Sequence, residues 1–134
     1  MLRSVLAALA LVAAADAAAQ THTGSLRPGD ETLNSGEYVD EYVVEARQGE
    51  TVRAVLTSDE FDTYVILVSA TGGQAEDDDC TEGETTRSCA EWTADADGSV
   101  RVLVTTFQPG ETGQYRVEVS VGTDSGPAAQ DGRR

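Results

Sequence analysis

Two oxygen-rich clusters stand out in this sequence: the run Glu76-Asp77-Asp78-Asp79, and Asp95 with Asp97. Calcium is the ion they suit, because it is held by several hard oxygens from carboxylates and carbonyls on loops. Neither cluster completes an EF-hand loop. Asp77 and Asp79 lack the glycine and the later glutamate at the required spacing, and Asp95-Ala96-Asp97-Gly98 starts too late. Asp77, Asp78, Asp79, Asp95 and Asp97 are therefore candidate calcium ligands or, on the alternative reading of an acidic run, residues of solubilising loops. Calcium is the only cofactor the sequence suggests.

Asp40 and Asp62 differ from these because each sits within or beside an apolar strand pattern, where a carboxylate must be paired or hydrogen-bonded. The structural expectation is that Asp62 organises the turn into its strand by accepting backbone N–H bonds; the functional alternative is a calcium ligand. Catalysis is tested by subtraction. The single histidine, His22, lies in a segment expected to fray, so no Ser-His-Asp or Cys-His arrangement is expected. Paired carboxylates could serve a glycosidase only if held at a defined separation in a cleft. Trp92 and the four tyrosines could form a sugar-stacking platform, but Trp92, Tyr38, Tyr42 and Tyr115 have core parity. Tyr64 has the opposite parity to Val65 and Leu67 and is the tyrosine expected at the surface.

The elements that position these groups begin after residue 19. Met1-Leu2-Arg3, the apolar stretch Val5 to Ala15 and the small residues Ala17-Ala18-Ala19 read as a secretory signal peptide over residues 1–19. The apolar stretch is far short of the roughly 20 residues a membrane span needs, and Asp16 interrupts it. Without this segment the formal charge is unchanged at -15, since Arg3 and Asp16 leave together. Such a surface repels phosphate backbones and anionic membranes, which argues against nucleic-acid binding. The two cysteines, Cys80 and Cys89, travel to an oxidising compartment and are expected to pair.

From Thr21 onward the pattern is period two with frequent turn signals, which predicts an all-β domain over residues 20–121. Predicted strands are Thr23 to Leu26, Glu37 to Ala46, Thr51 to Ser58, Tyr64 to Val68, Cys89 to Ala94, one around Val100, Val102 and Val104, and one around Tyr115, Val117 and Val119. Ala70 to Arg87 reads as the longest loop. The continuous apolar run Tyr64 to Val68 predicts a central strand covered on both faces. Residues 122–134 lack an apolar pattern and are expected to be a disordered tail. Seven or eight such strands make a two-layer antiparallel β-sandwich the natural architecture.

Several stretches, in order and covering almost the whole of residues 20–121, resemble the bacterial pre-peptidase C-terminal domain family. They are Gly24-Ser25-Leu26 with Gly29-Asp30, Asp40-Glu41-Tyr42-Val43-Val44, Ala46-Arg47-Gln48-Gly49, Phe61-Asp62-Thr63-Tyr64-Val65, Asp77-Asp78-Asp79, Asp97-Gly98, and Thr112-Gly113-Gln114-Tyr115-Arg116-Val117-Glu118-Val119. The resemblance implies a jelly-roll-like sandwich with a non-catalytic accessory role in secretion, attachment or holding an enzyme near its substrate. The chain is expected to depart from the family in having no catalytic domain. It also departs in having a segment bounded by Cys80 and Cys89 where relatives carry a glycine-rich aspartate loop. The expectation is a secreted or periplasmic, monomeric, non-enzymatic domain without a membrane span, whose partner is an extracellular protein or a polysaccharide. Asp40, Asp62 and Tyr115 are expected in structural roles. A calcium- or carbohydrate-binding module and a small peptidase inhibitor, with the Cys80 to Cys89 segment as its loop, are the alternatives.

Overall fold

The computed structural model describes residues 18–77 and 79–123. They form eight strands: β1 (Ala18–Leu26), β2 (Asp40–Ala46), β3 (Glu50–Thr57), β4 (Thr63–Ser69), β5 (Gln74–Asp77), β6 (Arg87–Thr93), β7 (Gly98–Thr106) and β8 (Gly113–Thr123). Two four-stranded sheets, ordered β1-β8-β3-β6 and β2-β7-β4-β5, pack face to face. Every paired neighbour is antiparallel. The pairs β1 with β8, β2 with β7, β3 with β6 and β4 with β5 are those of one long hairpin folded at the β4–β5 turn. Rolling that hairpin up adds the β3–β8 and β4–β7 pairings, which gives the jelly-roll order.

Alternation along each strand puts one row inside. Val52, Ala54 and Leu56 of β3, Val65 and Leu67 of β4, Val100, Val102 and Val104 of β7, and Tyr115, Val117 and Val119 of β8 are buried in one cluster with Leu26 and Phe61. Burying each of these valines and leucines contributes about 1.5–3 kcal/mol. Tyr42 and Trp92 pack partly buried against the same cluster. On β2 the even residues Tyr42, Val44 and Ala46 turn inward, while Glu41, Val43 and Glu45 are exposed.

The structure differs from the sequence expectation in four places. β1 begins at Ala18 rather than Thr23, so His22 lies within a strand, opposite Val117, and not in a fraying end. β2 begins at Asp40 rather than Glu37; the residues before it make a separate hairpin closed by the Thr32–Tyr38 bridge. The predicted long loop contains β5, whose Glu76 and Ala75 pair with Ile66 and Leu67. Gly122 and Thr123, placed in the tail, extend β8 against Thr51 and Glu50. Residues 1–17 and 124–134, with most of the predicted signal peptide and tail, lie outside the described residues, as does Asp78.

The two open sides of the sandwich are closed differently. On the β5–β6 side, Cys80 and Cys89 form a disulfide with Cα atoms 4.8 Å apart. The Cys80 N–H donates to the Arg87 carbonyl there, and the Thr63 N–H to the Thr85 carbonyl. On the β1–β2 side the closure is made by side chains. The Tyr115 hydroxyl donates to Oδ2 of Asp40 at 2.6 Å and shares a 2.6 Å bond with the Tyr42 hydroxyl. His22 stacks on Tyr42 with ring centroids 4.3 Å apart. Among the described residues no helix is long and apolar enough to cross a membrane.

Candidate functional site

The outer face of the β2-β7-β4-β5 sheet carries the cleft of interest. Alternation turns Tyr64, Ile66 and Val68 of β4 and Leu103 of β7 away from the core, yet Ile66 and Leu103 are still buried. The hairpin over residues 31–39 lies beside Ile66. It is held by Leu33 N–H to the Glu37 carbonyl and Val39 N–H to the Glu31 carbonyl, with Gly36 at φ 107° in its turn. The Thr105 hydroxyl pins it to the sheet by donating to the Tyr38 carbonyl at 2.7 Å.

Between this hairpin and β4 opens a cleft of about 360 Å³, lined by Leu33, Ser35, Glu37, Tyr64, Ile66, Glu76 and Phe107. That volume lies in the range of small-ligand sites. Glu37 is 9% exposed, and its carboxylate accepts the Ser35 hydroxyl at 2.5 Å. Phe107, just beyond β7, is 49% exposed; its N–H donates to the Asp62 carbonyl, which fixes the ring's base against the start of β4. Tyr64 and Phe107 meet edge to face, with centroids 6.4 Å apart and planes at 81°. Among the described residues no basic side chain lines the cleft. Arg101, on the same outer face, is engaged by Glu41 through bonds of 2.9 and 3.3 Å, and its charge is further held by Glu31. The same contact lowers the Glu41 carboxyl below its usual range.

Asp77, Asp79, Asp95 and Asp97, expected as calcium ligands, do not line this cleft. Asp77 on β5 accepts the Cys89 N–H at 3.1 Å, and Asp79 accepts the Gly83 N–H at 3.2 Å. Asp95 and Asp97 occupy the β6–β7 turn, accepting the Thr71 hydroxyl at 2.9 Å and the Gln48 N–H at 2.8 Å. Each of these four carboxylates thus organises a turn or strand end. Among the described residues no three carboxylate, histidine or cysteine side chains converge as a metal would require. Asp62 anchors its turn through the backbone: its N–H donates to Glu111 and its carbonyl accepts from Phe107.

Tyr115 is 4% exposed and part of the core cluster. Burial first, then its bonds to Asp40 and Tyr42, push its hydroxyl well above the ordinary tyrosine range. It remains protonated and acts as a fixed donor. No family model matches the chain, and no curated protein is recognisably similar to it.

Tyr64 carried a sequence signal, its outward parity on an otherwise apolar strand. Phe107, Glu37 and the hairpin wall were missed. The available signal for Phe107 was a lone aromatic in the Phe107-Gln108-Pro109-Gly110 turn, where strand burial cannot hold it.

Proposed function

We propose that this chain is an extracellular, non-catalytic binding domain that takes its ligand in the cleft between the 31–39 hairpin and β4. The observation that carries the reading is the Tyr64–Phe107 pair, a solvent-facing aromatic corner on a surface otherwise rich in charge. Exposed apolar groups rimmed by polar ones mark interaction sites. Aromatic rings supply large contact area at small entropic cost. The resemblance to pre-peptidase C-terminal domains supports an accessory role in attachment or substrate retention, and the signal-like residues 1–19 with the Cys80–Cys89 disulfide support a secreted or periplasmic location.

The test is amide-resolved NMR of the full chain against neutral oligosaccharides, basic peptides and acidic peptides. At least one class is expected to shift the amides of Tyr64, Ile66, Glu76 and Phe107, and Phe107→Ala to abolish the shifts while leaving the melting temperature unchanged. Shifts confined to other surfaces, or none with any class, would overturn the reading. Turnover of glycoside or peptide substrates by the intact chain, lost on a single carboxylate substitution, would overturn its non-catalytic part.

A further inference from the structure

Resting on the binding reading above, we infer that the cleft receives the cationic side chain of a lysine or arginine from a basic, extended segment of a partner protein. Charge is the first argument. Glu37 and Glu76 line the cleft without a basic counterpart among the described residues, and Arg101 of the same face is already bound by Glu41. Glu45 projects from the outer side of β2 beyond the cleft, while Glu41 there is taken up by Arg101. Negative charge therefore extends past the space a single amine would fill, and suits successive basic residues of one peptide.

Ring geometry is the second. A sugar-stacking platform needs aromatic faces that lie in a row, whereas Tyr64 and Phe107 stand at 81° to one another and form two walls of a corner. A cation set in such a corner meets the electron-rich face of one ring, with the carboxylates as further acceptors. Size and lining are the third. A volume of about 360 Å³ admits a long side chain, and Leu33 and Ile66 offer apolar surface to its methylenes while the charged head reaches Glu37 and Glu76. The net charge of -15 adds long-range attraction for a basic partner and speeds its encounter.

Calorimetry and NMR titration of the full chain decide the matter, with four probes: a peptide of alternating glycine and lysine, its glutamate counterpart, lysine amide, and cellohexaose. The lysine peptide is expected to shift the amides of Tyr64, Ile66, Glu76 and Phe107, and to bind at least 10-fold more weakly at 300 mM than at 50 mM salt. Its binding is also expected to fall at least 10-fold in both Phe107→Ala and Glu76→Gln, exposed positions whose melting temperatures should match the parent. Cellohexaose binding at the same amides without salt dependence would overturn the cationic ligand and leave the binding reading standing. Lysine amide binding as tightly as the peptide would overturn the peptide source. Absence of cleft shifts with all four probes would overturn both.

Discussion

The Tyr115 hydroxyl and the Asp40 carboxylate, 2.6 Å apart, join β8 of one sheet to β2 of the other. Tyr115→Phe keeps the ring and removes the donor, leaving Asp40 and Tyr42 short of a partner at a partly buried site. Loss of about 1–3 kcal/mol of stability is expected, read as a lower urea midpoint with an unchanged slope. A cycle with Asp40→Ala should return a coupling of roughly 0.5–3 kcal/mol; strict additivity would show that the pair does not act as a unit.

The same hydroxyl sets a pH limit. Its folded-state pKa is raised above the unfolded value of about 10. The folded chain therefore keeps a proton that the unfolded chain releases. This contribution is complete below about pH 10 and is lost as pH climbs further. Melting temperature is expected to fall above pH 10 in the parent, and more shallowly in Tyr115→Phe. Identical slopes would remove Tyr115 from the account.

Reducing the Cys80–Cys89 disulfide should destabilise the fold by roughly 2–3 kcal/mol, the chain-entropy value for so short a loop. The loss should also be local. β5 is only four residues long and is held by β4, by the disulfide beyond it and by the Asp77 bond to Cys89. Hydrogen exchange after reduction, or in a Cys80→Ser, Cys89→Ser double variant, is expected to rise first at β5 and its partners in β4, with the interior strand β8 of the other sheet protected longest.

A side chain at Gly73 has no room. A Cβ there would lie 2.0 Å from Cη2 and 2.2 Å from Cζ2 of Trp92. Gly73→Ala must displace the indole from its place against the core, at a cost of about 1–3 kcal/mol for overpacking. Trp92 is the only tryptophan, so its emission reports directly; a red shift with a lowered melting temperature is expected, and an unchanged spectrum would contradict the packing described.

How legible each part was follows from where its information lies. Val100, Val102 and Val104, and Tyr115, Val117 and Val119, declare their strands and inner faces by parity alone, because a two-residue period has one apolar phase. β5 does not declare itself. Its Gln74-Ala75-Glu76-Asp77 sequence has no strand preference and is extended because Ile66 and Leu67 present a ladder and the disulfide ends the excursion. Asp77, Asp79, Asp95 and Asp97 make local bonds to Cys89, Gly83, Thr71 and Gln48, and spacing alone does not distinguish such bonding from ligation. The cleft combines residues from the 31–39 hairpin, β4, β5 and the turn after β7, a juxtaposition set by the rolled-up topology and absent from any local stretch.

Ala18 lies across from Val121, so the described chain enters and leaves through neighbouring strands at one end of the sandwich. Phe107 lies toward the other end, where Leu26 meets Gly113. The described domain therefore has its two ends close together. A circular permutant that joins the two ends and opens the turn at Gln108 to Glu111 should fold with the same strand order and place the new termini beside the cleft.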